Sequence, residues 1–171
     1  MSTTRWVFGY GSLIWRPGFS FIHSEPARLE GWHRSLCVLS HKYRGTTDCL
    51  GLVFGLDEGG HCHGVAFEVE DALWPQTHAY LTARELVTHV YLEKKLLVNL
   101  ADGRTVKATT YVVDRDHEQY AGQKTRDEKL TYVRQGYGEA GSCLDYVKST
   151  AEHLHALGVP DPELDELIKQ L

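Results

Sequence analysis

From Trp6 to Val69 the apolar residues come in short blocks separated by turn-forming residues, and beyond Asp71 they recur at helical spacing. Trp6-Val7-Phe8 is a compact apolar block that predicts a short buried strand. The turn Gly9-Tyr10-Gly11-Ser12 follows, an apolar run resumes at Leu13, and Pro17-Gly18 ends it. Trp15 to Ser24 predicts a loop. Ala27–Leu29, Ser35–Leu39, Leu50–Leu56 and Gly64–Val69 predict strands, the last two joined by a turn at Asp57-Glu58-Gly59-Gly60. Asp71 is placed to cap a helix that tolerates Pro75 in its first turn. Trp74, His78, Leu81 and Glu85 then fall on one face of that helix.

Val90–Leu100 and Val106–Val113 predict a hairpin across Asp102-Gly103. Thr125 with Glu128 forms a capping box ahead of Leu130 and Val133. Ser142 caps a further helix with the stripe Leu144, Val147, Ala151 and Leu154, which stops at Gly158. Asp161-Pro162 opens a last helix with Leu164, Leu167, Ile168 and Leu171 inward. Strands come first and helices mostly last. The expected class is α+β with a mainly antiparallel sheet, closed into a small barrel in one version. The expected organisation is one domain over residues 1–171.

The formal net charge of −5 argues against nucleic acid or an acidic membrane surface as partner. Met1-Ser2-Thr3-Thr4-Arg5 leads straight into the first strand without a secretory apolar region, and no run is long enough to span a bilayer. A cytoplasmic location is expected. Cys37, Cys49 and Cys62 lie in or beside apolar runs, as buried reduced thiols do, and Cys143 is the fourth cysteine.

Glu85 is the most informative candidate. A carboxylate on an apolar stripe loses hydration, which raises its pKa and suits it to proton transfer near neutral pH. The plain alternative is an ion pair with a neighbouring Arg or Lys. The Gly9–Ser12 turn can present backbone N–H groups to an anion or a carbonyl oxygen, or it can merely join two core strands. Arg44, in the loop Tyr43-Arg44-Gly45-Thr46, can clamp a carboxylate. Tyr146 lies one residue off its helix stripe, within reach of a pocket. Ser12 does not sit in a nucleophile pattern, since Gly-Tyr-Gly-Ser is not Gly-x-Ser-x-Gly. His61-Cys62-His63, read as part of a glycine-rich hairpin tip, offers two metal ligands and no third. No metal and no cofactor are expected.

The stretch Trp6-Val7-Phe8-Gly9-Tyr10-Gly11-Ser12-Leu13-Ile14-Trp15 closely resembles the opening of the ChaC family of γ-glutamylcyclotransferases. The similarity continues in the same order through Tyr43-Arg44-Gly45-Thr46, Arg84-Glu85, Tyr91 and, more loosely, Gly141-Ser142-Cys143-Leu144-Asp145-Tyr146-Val147. The resemblance implies a γ-glutamylcyclotransferase-like small mixed or antiparallel β-barrel with flanking helices. It implies that glutathione is converted to 5-oxoproline and cysteinylglycine with Glu85 as acid/base. It further implies that the loop Tyr10, Gly11, Ser12 and Leu13 holds the γ-glutamyl group; Gly9, Tyr91 and Tyr146 are expected as further substrate contacts, and Arg44, from its charge and loop position, as the partner of a substrate carboxylate. Two other readings stand beside it: turnover of other γ-glutamyl amines or amino acids, and a non-catalytic binding or regulatory module.

Overall fold

The computed structural model describes residues 3–171; Met1 and Ser2, which open the lead-in read from the sequence, lie outside the described residues. β1 (Thr4–Gly9) is buried from Trp6 onward and pairs antiparallel with the end of β3 (Gly51–Glu70), Val7 opposite Phe67. β3 also pairs antiparallel along most of β2 (His23–Ser40). β4 (Tyr91–Leu100) and β5 (Thr105–Val113) form the expected hairpin, with Gly103 at φ +93° in its turn. A short parallel pairing of β1 with β5, Trp6 opposite Ala108, closes the ring β1-β3-β2-β4-β5 into a barrel. Phe8, Leu29, Leu52, Leu56 and Val98 are fully buried in its main core. The α+β class and the closed small barrel both stand.

Four predicted short strands are two long ones. Ala27–Leu29 and Ser35–Leu39 are parts of β2, and Leu50–Leu56 and Gly64–Val69 are parts of β3. The reason is local. Asp57-Glu58-Gly59-Gly60 does not reverse the chain; it faces Gly31 across the ladder, where the register shifts between Glu30 and Trp32. Gly31, Gly59 and Gly60 all have positive φ, so the glycines bend a continuous pair of strands. Tight coiling of long strands lets so few of them close a ring. His61-Cys62-His63 therefore lies within β3, opposite Arg28–Glu30, and not at a hairpin tip. The two imidazoles sit 5.6 Å apart, and among the described residues no three potential ligands converge on a metal position.

The helices follow their sequence signals closely. α1 (Trp74–Glu85) carries Pro75 in its first turn, but Asp71 does not cap it. A 3-10 turn at Asp71–Leu73 intervenes, and the Asp71 carboxylate is taken by Arg5 and Thr3. A second 3-10 turn, Ser12–Ile14, follows β1. α2 (Arg126–Gln135) has the full Thr125–Glu128 capping box. The small ribbon β6 (Tyr137–Gly138) and β7 (Gly141–Ser142) leads to α3 (Cys143–Ala156), capped by Ser142. α4 (Pro162–Ile168) is capped by Asp161. All four cysteines are free thiols. Cys37, Cys62 and Cys143 are buried, but Cys49 is exposed, because it closes a polar turn with Thr46 before β3 begins.

Candidate active site

β1 ends where a glycine pair lets the chain leave the sheet. A Cβ on Gly64 would lie 2.3 Å from the Gly9 carbonyl oxygen, and a Cβ on Gly9 would lie 2.9 Å from the Leu13 Cβ. The departing chain makes the 3-10 turn Ser12–Ile14, with the Ile14 N–H donating to the Gly11 carbonyl. As the first residues of that turn, Ser12 and Leu13 have N–H groups without a partner in the helix.

Opposite this turn stands the end of α1. Glu85 is the last helical residue, and the chain then reverses through Leu86–His89, with His89 in the left-handed region at φ +61°. The reversal returns the chain as β4, so that Tyr91 faces the same space as Glu85. Between them lies a cavity of about 490 Å³, in the range that holds a small-molecule ligand.

The third wall is the connection from Ser40 to Gly51, pressed flat by glycines. A Cβ on Gly45 would lie 2.3 Å from the Gly51 nitrogen, and one on Gly51 would lie 2.1 Å from the Arg44 carbonyl oxygen. Gly136 and Gly138 close in from the far side, where a Cβ would come within 2.5 Å of the Arg44 oxygen and 2.4 Å of the Lys42 oxygen. The Glu139 and Ala140 N–H groups donate to the Lys42 and Tyr43 carbonyls, both at 2.9 Å. This clamp turns the Arg44 side chain inward. Its guanidinium lies 5.2 Å from the Tyr146 ring centroid and 5.8 Å from that of Trp15, and it donates to the Ser142 carbonyl at 3.1 Å. The cation is thus held by ring faces and one backbone oxygen, with no carboxylate of the protein on it among the described residues.

Tyr10, Gly11, Ser12, Leu13, Arg44, Glu85, Tyr91 and Tyr146, all singled out in the sequence, line this one cavity. Gly9 does not line it; its missing side chain makes room for Leu13 and Phe67 instead. Two tyrosines lock onto one residue of β3: Tyr91 donates to the Phe54 carbonyl at 2.6 Å, and the Phe54 N–H donates to the Tyr146 hydroxyl at 3.2 Å. The Tyr146 proton stays available to a ligand.

Glu85 is partnered by Arg84, 3.4 Å away, and its side chain is only 16% exposed. Burial pushes its carboxyl above the ordinary range, and the Arg84 charge opposes that rise. Burial also raises the phenols of Tyr10, Tyr91 and Tyr146, with the Glu85 charge adding to each. They stay protonated near neutral pH, Tyr91 donating to the Phe54 carbonyl and Tyr146 accepting from the Phe54 N–H. The lining holds one carboxylate, Glu85, against Arg16, Lys42, Arg44 and Arg84. Such a cavity favours a ligand with carboxylates of its own.

Sequence reasoning missed Phe54, Gln119 and the reach of Arg84. Gln119 arrives on the loop after β5, tied to β2 by its side-chain amide on the Leu39 carbonyl at 2.8 Å. No periodic signal marks a loop residue of that kind. Arg84 was visible only as the neighbour of Glu85.

Comparison with known proteins identifies the family and the fold. The sequence model of a family described as ChaC-like protein matches residues 5–171. The chain belongs to the ChaC-like family. A glutathione-specific γ-glutamylcyclotransferase of Escherichia coli is 34% identical over 163 residues, covering 95% of this chain and 71% of that protein. One from Schizosaccharomyces pombe is 36% identical over 179 residues, covering 88% and 87%. The fold matches the crystal structure of a yeast γ-glutamyl cyclotransferase specific to glutathione, with a TM-score of 0.90, 21% identity, and 98% and 95% of the two chains covered.

In this ChaC-like protein the turn after β1 makes a graded prediction. A Cβ on Gly11 would lie 3.0 Å from the Tyr146 hydroxyl, so Gly11→Val displaces the tyrosine or the turn. We expect kcat/KM to fall roughly thirtyfold, as when a reacting group is shifted by a fraction of an ångström. Ser12→Ala removes one hydrogen bond and is expected to cost about fivefold. Equal activity of Gly11→Val and the parent would exclude close backbone approach there.

Proposed function

We propose that this chain, acting as a single domain, is a glutathione-specific γ-glutamylcyclotransferase, a lyase that forms 5-oxoproline. The observation that carries the mechanism is the sharing of one cavity by a desolvated Glu85 and the Gly11–Leu13 turn. The names of the relatives support the substrate.

In this reading the α-amine of the γ-glutamyl residue attacks the γ-carbonyl carbon. A C–N bond forms within a five-membered ring, the C–N bond to the cysteinyl nitrogen breaks, and no water is consumed. At neutral pH the amine arrives as an ammonium ion, which has no lone pair for attack. Ring closure takes two protons from that nitrogen, and Glu85, as carboxylate, accepts each in turn and passes it to the cysteinyl nitrogen, which departs as an ammonium ion. Its raised proton affinity suits it to both steps. The Ser12 and Leu13 N–H groups meet the oxyanion that develops on the γ-carbonyl oxygen. Groups of this kind contribute about 3 kcal/mol each in a dry site. Tyr10, Tyr91 and Tyr146 wall off water and fold the γ-glutamyl chain toward its ring-closing shape. Arg44 meets a substrate carboxylate in place of the one the protein does not supply. Free thiols throughout fit a cytoplasmic setting.

The test is incubation of the purified protein with glutathione, with 5-oxoproline and cysteinylglycine measured in parallel. Both should appear in equal amounts. A panel of other γ-glutamyl amines and γ-glutamyl amino acids decides selectivity, and a faster turnover of any of them would replace glutathione as the substrate. Absence of 5-oxoproline from every compound would leave only a binding role.

A further inference from the structure

The Arg84 guanidinium does more than sit beside Glu85. Its side chain is 17% exposed and spans the cavity wall from α1 to the turn after β1. Nη2 donates to the Ser12 hydroxyl at 2.7 Å. Nη1 points at the Arg16 carbonyl at 2.6 Å, the Pro17 carbonyl at 3.3 Å and the Tyr80 hydroxyl at 3.0 Å. Nε faces Glu85 Oε1 at 3.4 Å. One planar group thus touches both ends of the loop Ser12–Pro17 and the carboxylate that must work opposite it. No single ammonium group can serve directions spread that widely.

We propose that Arg84 is a positioning residue that ties the substrate-holding turn to Glu85 and sets the pH range in which Glu85 acts. The inference rests on the cyclotransferase reading of the site. Neighbouring helix residues do not face each other. The contact between Arg84 and Glu85 accompanies the bonds that hold the guanidinium across the helix end to Ser12, Arg16 and Pro17. Arg16, Lys42 and Arg44 line the same cavity, but among the described residues Arg84 is the cation that forms an ion pair with Glu85. Tyr10 approaches from the end of β1, Tyr91 from β4, Tyr111 from β5 and Tyr146 from α3, and all four are neutral phenols near neutral pH. Their coupling to Glu85 is repulsive only if they ionise. The positive charge on Arg84 is what keeps a buried carboxyl available as carboxylate.

The sign of the effect follows. Arg84 favours the charged form of Glu85, so its removal raises the Glu85 pKa further. Activity that needs the carboxylate then fails at a higher pH. In Arg84→Gln the acid limb of the kcat/KM profile should move to higher pH by about one unit. The pH-independent maximum should also fall at least tenfold, because the turn is no longer held. Arg84→Lys keeps the charge and loses the fork. Its acid limb should stay near that of the parent while its maximum falls. Thermal denaturation of both variants shows whether the fold persists.

An acid limb unchanged in a folded Arg84→Gln variant would overturn the proposal, and so would full activity of Arg84→Lys. These outcomes separate from failure of the underlying reading, which shows in Glu85→Gln alone. If Glu85→Gln turns over normally, the acid/base reading falls whatever Arg84 does. If Glu85→Gln is inert and the Arg84 profile does not move, only the positioning role falls.

Discussion

Glu85→Gln is expected to reduce 5-oxoproline formation about 10³-fold while leaving glutathione affinity within a few-fold of the parent. The substitution keeps the size and planarity of the side chain and removes its ability to take a proton. General acid/base catalysis of this kind contributes about 10²–10⁴-fold, and here the same group is asked to act twice in one turnover. Binding should survive because the substrate contacts assigned to Tyr10, Ser12, Arg44 and Tyr146 are untouched. Stability should not fall. A carboxyl whose pKa is raised by burial binds protons more readily in the folded chain than in the unfolded one. Its charge at neutral pH therefore opposes folding, and that cost grows as pH rises through the interval above the ordinary carboxylate value. The neutral amide removes the cost, so the melting temperature at pH 7 should be equal or higher. Single-turnover kinetics with calorimetric binding measure both quantities. Product release at the parental rate would remove Glu85 from the mechanism, and a collapsed melting temperature would show that its role is structural.

The second large effect is expected away from the chemistry, at Gly51→Ala. A Cβ there lies 2.1 Å from the Arg44 carbonyl oxygen and 2.9 Å from its carbonyl carbon, and both are backbone atoms that no rotamer change can move aside. Gly136 blocks the other direction, with its Cα 3.3 Å from the same point. The loop must open, which costs on the order of 3 kcal/mol as overpacking does. That lowers the melting temperature by about 10 °C for a chain of this size. Arg44 moves with its own carbonyl, so KM for glutathione should rise about tenfold in the fraction that stays folded. Unchanged melting and KM would mean that the glycine clamp does not set the Arg44 position.

Much of this protein was legible before any coordinates. The capping box at Thr125, the cap at Ser142, Pro75 in a first helical turn and the Asp102-Gly103 hairpin are local events, decided by a few neighbouring residues and their hydrogen bonds. The inward direction of Glu85 was legible for the same reason, because α1 keeps a regular period from Trp74. Strand length was not. Gly59-Gly60 reads as a turn in one dimension, and whether it reverses or bends the chain depends on Gly31, which no local pattern connects to it. The same limit applied to Gly136 and Gly138. Their role as the outer jaw of the Arg44 clamp lies in contacts with residues far back in the chain.

The sequence by itself determined the helices, the order of apolar blocks, the family likeness and a core of candidates, Tyr10 to Leu13, Arg44, Glu85, Tyr91 and Tyr146, that share the cavity. Only the tertiary structure decided that Gly9 packs while Gly11 faces the cavity, that Arg44 is held between two aromatic rings, and that Arg84 joins the turn to the acid. The physical reason is range. Caps and periodicity act over one or two helical turns, whereas burial, desolvation and the close approach of distant backbones exist only after the barrel has closed.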